Sequence, residues 1–227
     1  MIHYHGTPIT PRSELQKMAG RSFCVPFSDP RDLVTAHNIG QSVMLDNGAF
    51  SAWRRGISIN WMDYYGWAEP WLDYHTTWAV IPDVIDGTEE DNDQLVLEWP
   101  FGGNGSPVWH LHESLDRLRW LCDTWSRICF GSSGDYATPG TDSWHHRVAE
   151  AFNVVAPSGV PDVWVHMLRG LQFSGSEYPF ASADSVNVGR NFKDTNSNPE
   201  EMARTIDARQ CPARWHGNTN MELLCTD

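Results

Sequence analysis

"SVMLDNGAFSAW", residues 42 to 53, poses the question that decides the fold. An apolar run ends in Asp46 and gives way to Asn47, Gly48 and Ala49, the pattern of a buried strand emptying into a loop. An acid at such a strand end stands where open α/β sheets and α/β barrels carry their chemistry. The number of similar strands in the chain separates those two architectures.

Runs of the same kind recur at a regular beat: 2 to 6, 21 to 27, 42 to 46, 77 to 83, 107 to 112, 127 to 133, 163 to 168 and 179 to 184. Between them, helices are expected over 11 to 19 with Ser13 as cap, 30 to 38, 61 to 75, 88 to 98 opened by Thr88, 114 to 125, and 143 to 155 capped by Asp142 or Ser143. Only the connection 169 to 178 lacks a helical pattern. Strands alternating with helices imply a parallel sheet, and eight such units imply closure into a (β/α)8 barrel of the TIM type. With one strand fewer, the same chain would form an open doubly wound sheet. The Gly/Pro-rich stretch 98 to 109 reads as a loop, because the alternation resumes after it. Residues 1 to 190 are therefore expected to form one barrel domain. Residues 191 to 227 are expected to pack on it as a closing helix, over 198 to 208 with Pro199 in its first turn, and a tail.

Composition narrows the function classes. The 227 residues, 41% of them hydrophobic, suffice for one sizeable core. No run approaches a membrane span, and "MIHYHGTPIT" lacks the pattern of a secretion signal, so the expected location is the cytoplasm. A net charge of −13 disfavours nonspecific binding to polyanions while leaving room for a local basic groove. Cys24, Cys122, Cys129, Cys211 and Cys225 form no C-x-x-C pair, which argues against a disulfide framework and a four-thiolate zinc site.

In a barrel, one rim would collect His5, Asp46, Asp83 with Asp86, His112 with Glu113, Gly131 with Ser132, His166 and Asp184. Each acid alone is equally a helix cap or turn former, but so many acids and histidines at corresponding places point to a site. Two carboxylates in one partly dry pocket have their proton affinities pushed apart, so that one can attack while the other exchanges protons. Phe50 offers a face for a flat ligand, or simply packs in the core.

These residues carry a resemblance. "LDNGAFS" (45 to 51) resembles the D-S-G-G-F-Q loop of the tRNA-guanine transglycosylases, which exchange guanine for a 7-deazaguanine, and of their phage relatives that modify DNA. In the same order, "IPDVID" (81 to 86) is similar to the family's base-reading acid and "ICFGSSGD" (128 to 135) to its glycine-bearing loop. "HMLRG" (166 to 170) is similar to H-Y-L-M-G, and "ASADSVN" (181 to 187) to the stretch that holds the nucleophile. The family fold is a (β/α)8 barrel. The resemblance implies Asp184 as nucleophile at C1′ and Asp46 as its proton-transfer partner. It further implies Phe50 stacking on the base, Asp83 accepting from its amidine edge, Gly131 and Ser132 holding its carbonyl edge, and His166 and Gly170 at the pocket floor. Asp86, His112 and Arg169 complete the expected substrate-binding set. Apart from the resemblance, Arg54, Arg55 and Arg190 are candidate phosphate contacts or else ordinary solvated arginines. No cofactor or metal is expected in this chain.

Departures shape the expectation. Asn47, Ala49, Ser51 and Arg169 replace the family's Ser, Gly, Gln and Met, and the family's zinc cluster has no counterpart, since Cys211, Cys225 and His216 cannot supply four ligands. That zinc domain helps dock tRNA, so the expected substrate is guanine in DNA, exchanged for a 7-deazaguanine such as preQ0. Two other readings compete. "HYH" (3 to 5), His110 or His112, His166 and Asp184 resemble the metal-binding order of amidohydrolase barrels, although no lysine is placed to bridge two metals. A barrel that binds a base without exchanging it is the other, its acids acting as caps. Trp61, Trp67 and Trp71 are expected to pack against the core, and His145 and His146 to lie on the surface.

Overall fold

Short runs that are apolar on both faces can satisfy their backbone groups only by pairing side by side beneath helices. In the computed structural model, which describes residues 1–194 and 198–217, they form one all-parallel sheet in the order β5-β4-β3-β2-β1-β9-β8-β7-β6. The strands are β1 (Ile2–Gly6), β2 (Ser22–Pro26), β3 (Ser42–Asp46), β4 (Thr77–Val80), β5 (Gly105–Ser106), β6 (Val108–His110), β7 (Arg127–Gly131), β8 (Trp164–Met167) and β9 (Ser182–Ser185). The ninth strand arises from Pro107, which stands between β5 and β6 and has no N–H to continue a ladder. β5 pairs with β4, β6 pairs with β7, and the Pro107 carbonyl still accepts from Cys129 N at 2.9 Å. The eight expected strand positions are thus present, with the fifth broken in two, and the sheet is a nearly closed TIM-type barrel.

The helices are α1 (Arg12–Gln16), α2 (Leu33–Ile39), α3 (Ala49–Arg55), α4 (Trp61–Leu72), α5 (Glu89–Glu98), α6 (Leu115–Thr124), α7 (Asp142–Val155), α8 (Asn187–Asn191) and α9 (Pro199–Asp207). Thr88 opens α5 in a reciprocal capping box with Asp91, and Ser114 caps α6. α7 is capped by Thr141, which accepts from Trp144 N, instead of by Asp142 or Ser143. α1 starts behind Pro11 without a side-chain cap, and Ser13 lies inside it. The stretch after Asp46 is a helix, not the expected loop: Gly48, at φ 79°, turns the chain directly into α3, and Gly56, at φ 64°, ends it.

Alternation along the strands separates three cores. Tyr4, Cys24, Met44, Trp78, Val80, Val108 and Cys129 fill the barrel interior, where the Trp78 indole donates to Tyr4 Oη at 2.9 Å. Outside the β1–β4 half, a second cluster including Phe23, Leu45, Tyr64 and Ile206 buries the inner faces of the surrounding helices, with Trp61, Trp67 and Trp71 packed against it as expected. Outside the β6–β9 half, a third is built from Phe130, Trp144, Phe152 and Phe180. Each fully buried side chain of this size contributes about 1.5–3 kcal/mol.

His146 is exposed, but His145 is half-buried, its Nδ1 2.8 Å from Tyr178 Oη. Cys24, Cys122, Cys129 and Cys211 are free thiols, and Cys225 lies outside the described residues. No described helix is long and apolar enough to cross a membrane.

Candidate functional site

Side chains that point inward at the C-terminal ends of the strands meet at the barrel mouth. Asp46, His110, Gly131 and Asp184 all line a cavity of about 850 Å³ there, together with Asp83 and Ser132 from the following loops and Phe50 from α3.

Asp184 is held from behind. Its Oδ1 accepts Arg169 N–H at 2.7 Å and lies 3.3 Å from His166 Nε2. The tautomer of His166 follows from its partners. The Asp184 carboxylate can only accept, so His166 Nε2 carries the hydrogen that faces it. His166 Nδ1, 2.8 Å from Ser182 Oγ, then accepts the Ser182 hydroxyl proton, while the Trp164 indole donates to the same oxygen at 2.7 Å. Burial lowers the His166 pKa, against the pull of the Asp184 hydrogen bond, which favours the neutral ring this relay requires. Two donors on one oxygen orient the carboxylate and turn Oδ2, which has no partner among the described residues, to the cavity.

Asp46 is the second acid. Burial, then the charge of Asp184, push its pKa up to about 7, with Asp83 adding to the rise and the Gly48 N–H and Arg169 opposing it. A carboxyl that gains and loses its proton near neutrality is suited to general acid–base work.

A third polar cluster forms the wall. Asn47, buried, donates to Asp83 Oδ1 at 2.7 Å and to Ile81 O at 2.8 Å, while its own oxygen receives Ala49 N–H. His110 is 2% exposed and its Nε2 lies 3.0 Å from Asp83 Oδ2, but without hydrogen-bond alignment; neither ring nitrogen has a partner among the described residues. A Cβ on Gly131 would stand 3.1 Å from His110 Nδ1, so glycine keeps that edge of the ring clear. Ser132 Oγ accepts the Trp144 indole at 2.9 Å.

The mouth is aromatic and basic. Arg169, at φ 54°, holds a left-handed backbone that costs a non-glycine residue about 1–3 kcal/mol. That turn aims its N–H at Asp184 and places its guanidinium 3.4 Å from the Phe50 ring centroid. Arg54, Arg55 and Arg190 also line the opening.

Other expected site residues lie elsewhere. Asp86 is exposed and outside the cavity lining. His112 is exposed because the chain turns after His110, with Glu113 N bonding back to His110 O, and its Nδ1 lies 2.7 Å from Ser133 Oγ. Glu113 is buried in a network with Arg117 and Asn92 that ties α6 to α5. His166 and Gly170 lie beneath the cavity without lining it; a Cβ on Gly170 would strike Met167. His3 and His5 share one face, as alternation requires, but it is the outer face of β1, where His5 Nε2 is 3.0 Å from Asp207 Oδ1 and His3 Nε2 is 2.6 Å from Ser174 Oγ. The amidohydrolase ligand arrangement is therefore split by the barrel wall, and no group of three metal-ligating side chains forms among the described residues.

Two residues of the cavity wall have a different place from the one the sequence suggested. His110, considered only as an alternative to His112 for a metal, lines the cavity, as its alternation with Val108 requires. Asn47, noted only as a departure from a family pattern, orients Asp83. Comparison of the chain with protein-family models, curated proteins and solved structures finds no match.

Proposed function

We propose that this protein is a base-exchanging N-glycosyl transferase, which replaces guanine in nucleic acid, in DNA rather than tRNA, by a 7-deazaguanine such as preQ0. The observation that carries the reading is the pair Asp46 and Asp184 in one cavity, one acid titrating near 7 and the other oriented from behind by His166 and Arg169.

In the first half-reaction, Asp184 Oδ2 attacks C1′, the C1′–N9 bond breaks, and its electron pair leaves with guanine as Asp46 gives the base a proton. In the second, Asp46, now a carboxylate, takes a proton from the incoming base, whose nitrogen attacks C1′ and expels Asp184. Phe50 supplies a stacking face, and Asp83, held by Asn47, accepts from the amidine edge. Arg54, Arg55 and Arg190 favour a polyanionic substrate despite the net charge. The choice of 7-deazaguanine rests on the likeness of the loops 45 to 51, 81 to 86 and 128 to 135 to those of the guanine transglycosylases.

The test is to incubate the protein with radiolabelled guanine and DNA, single-stranded or duplex, or tRNA, with and without EDTA, and to count label in the polymer. Label entering DNA irrespective of EDTA is the expected result; label entering neither polymer would sink the reading.

A further inference from the structure

One aromatic beside the mouth has no part in the chemistry above. Trp53 is 48% exposed, a large apolar ring left in water one helical turn beyond Phe50. Its ring centroid is 5.7 Å from that of Phe50, with the planes 36° apart. The Phe50 ring is met in turn by the Arg169 guanidinium at 3.4 Å and by Arg54 at 5.9 Å. From the cavity to the surface there runs a series of flat groups, guanidinium, phenyl and indole, beside Arg54 and Arg55.

Aromatic faces interleaved with arginines are the chemistry that holds unpaired nucleotides: bases stack whatever their identity, and the cations track the phosphates. A base inside a duplex has both faces covered by its neighbours and offers none to an indole. A protein partner would also cover Trp53, but four arginines at the mouth, Arg54, Arg55, Arg169 and Arg190, in a chain of net charge −13 favour a polyanion.

We infer that Trp53 is the stacking platform for the nucleotide next to the one held in the cavity, and that the substrate is presented as an unpaired strand. The inference rests on the base-exchange reading, since it places a nucleotide in the cavity.

The experiment uses a short single-stranded DNA with one guanine flanked by fluorescent 2-aminopurine, its fully paired duplex, and free guanine. Binding is followed by anisotropy and 2-aminopurine quenching, or by calorimetry for the free base. The wild type is expected to prefer the single strand and quench the probe. Trp53→Ala should weaken single-strand binding by about tenfold or more and lose the quenching, Trp53→Phe should retain most of both, and free guanine should bind all three proteins equally. Single-strand binding and quenching unchanged in Trp53→Ala, or a wild type that prefers the duplex, would overturn the platform. A wild type that binds guanine but no oligonucleotide overturns the platform alone. One that binds the strand through Trp53 but no guanine overturns the base-exchange reading alone.

Discussion

The barrel wall separates two histidine–carboxylate pairs built from the same residue types. On the outer face, Asp207 accepts from His5 at 3.0 Å through one oxygen and from Arg21 at 2.9 Å through the other. Burial alone would raise its pKa, but the His5 hydrogen bond and the charges of His5 and Arg21 bring it below the usual carboxylate range. On the inner face, Asp184 faces a cavity and a second acid, and the same burial drives Asp46 up to about 7. One cluster balances its charges and closes; the other sets like charges against each other and stays open. Proximity of acid and histidine therefore marks a site only where the partners leave something unsatisfied.

The comparison breaks most sharply at Asp184. Asp184→Ala should reduce base exchange by on the order of 10⁴-fold or more and abolish a denaturant-stable protein–nucleic acid adduct on gels, with the fold retained. An active variant would remove the inner pair from the chemistry.

Asp46→Asn should slow exchange by about 10²–10⁴-fold. In the wild type, adduct formation needs the protonated acid, so its rate should fall as pH rises through about 7, and the variant should lose that dependence. The same shift affects stability with a definite sign. A carboxyl whose folded pKa lies above its unfolded value of about 3.9 binds its proton more tightly when folded, so stability declines as pH rises from about 4 to about 7. Three units correspond to about 4 kcal/mol, and partial exposure of Asp46 reduces this by about half. Urea unfolding should thus find Asp46→Asn more stable than wild type by about 2 kcal/mol at pH 8 and no different at pH 4. Equal stability at pH 8 would show that folding does not raise the Asp46 proton affinity.

Asp207→Asn should act in the opposite way, lowering stability by about 1–3 kcal/mol in urea because His5 and Arg21 lose their common acceptor. Guanine affinity should not change. Loss of exchange without loss of stability would show that the outer cluster is not a purely structural device.

How legible these faces were in the sequence follows from which forces are local. The beat of apolar strands and capped helices is written in nearest neighbours, so the barrel, Thr88 as a cap and the Pro199 helix start could all be read. Strand ends were less legible. His110 and His112 have the same spacing as partners on one face, but the strand stops at His110, where Leu111 N bonds to Gly131 O and the chain turns. His3 and His5 shared a face as expected, but which face depended on the phase of β1 against β9, with Tyr4 beside Asp184. α3 was missed because Phe50, Ser51 and Trp53 are weak helix formers and no side chain caps it; Gly56, just past Arg54 and Arg55, was the available signal.

The smallest expected effect lies at the rim, where the inner face meets solvent. Arg54, Arg55 and Arg190 are exposed and line the opening, so their charges act on a polyanion through released counterions and not through fixed geometry. Replacing any one by Ala should weaken DNA binding only a few-fold at moderate salt. The informative quantity is the slope of log affinity against log salt, which should flatten by about 0.9 per arginine on duplex DNA and about 0.7 on a single strand. Free-base affinity should remain constant, because none of the three takes part in the Asp83 and Asn47 wall. Unchanged slopes in all three variants would place the phosphates elsewhere on the barrel.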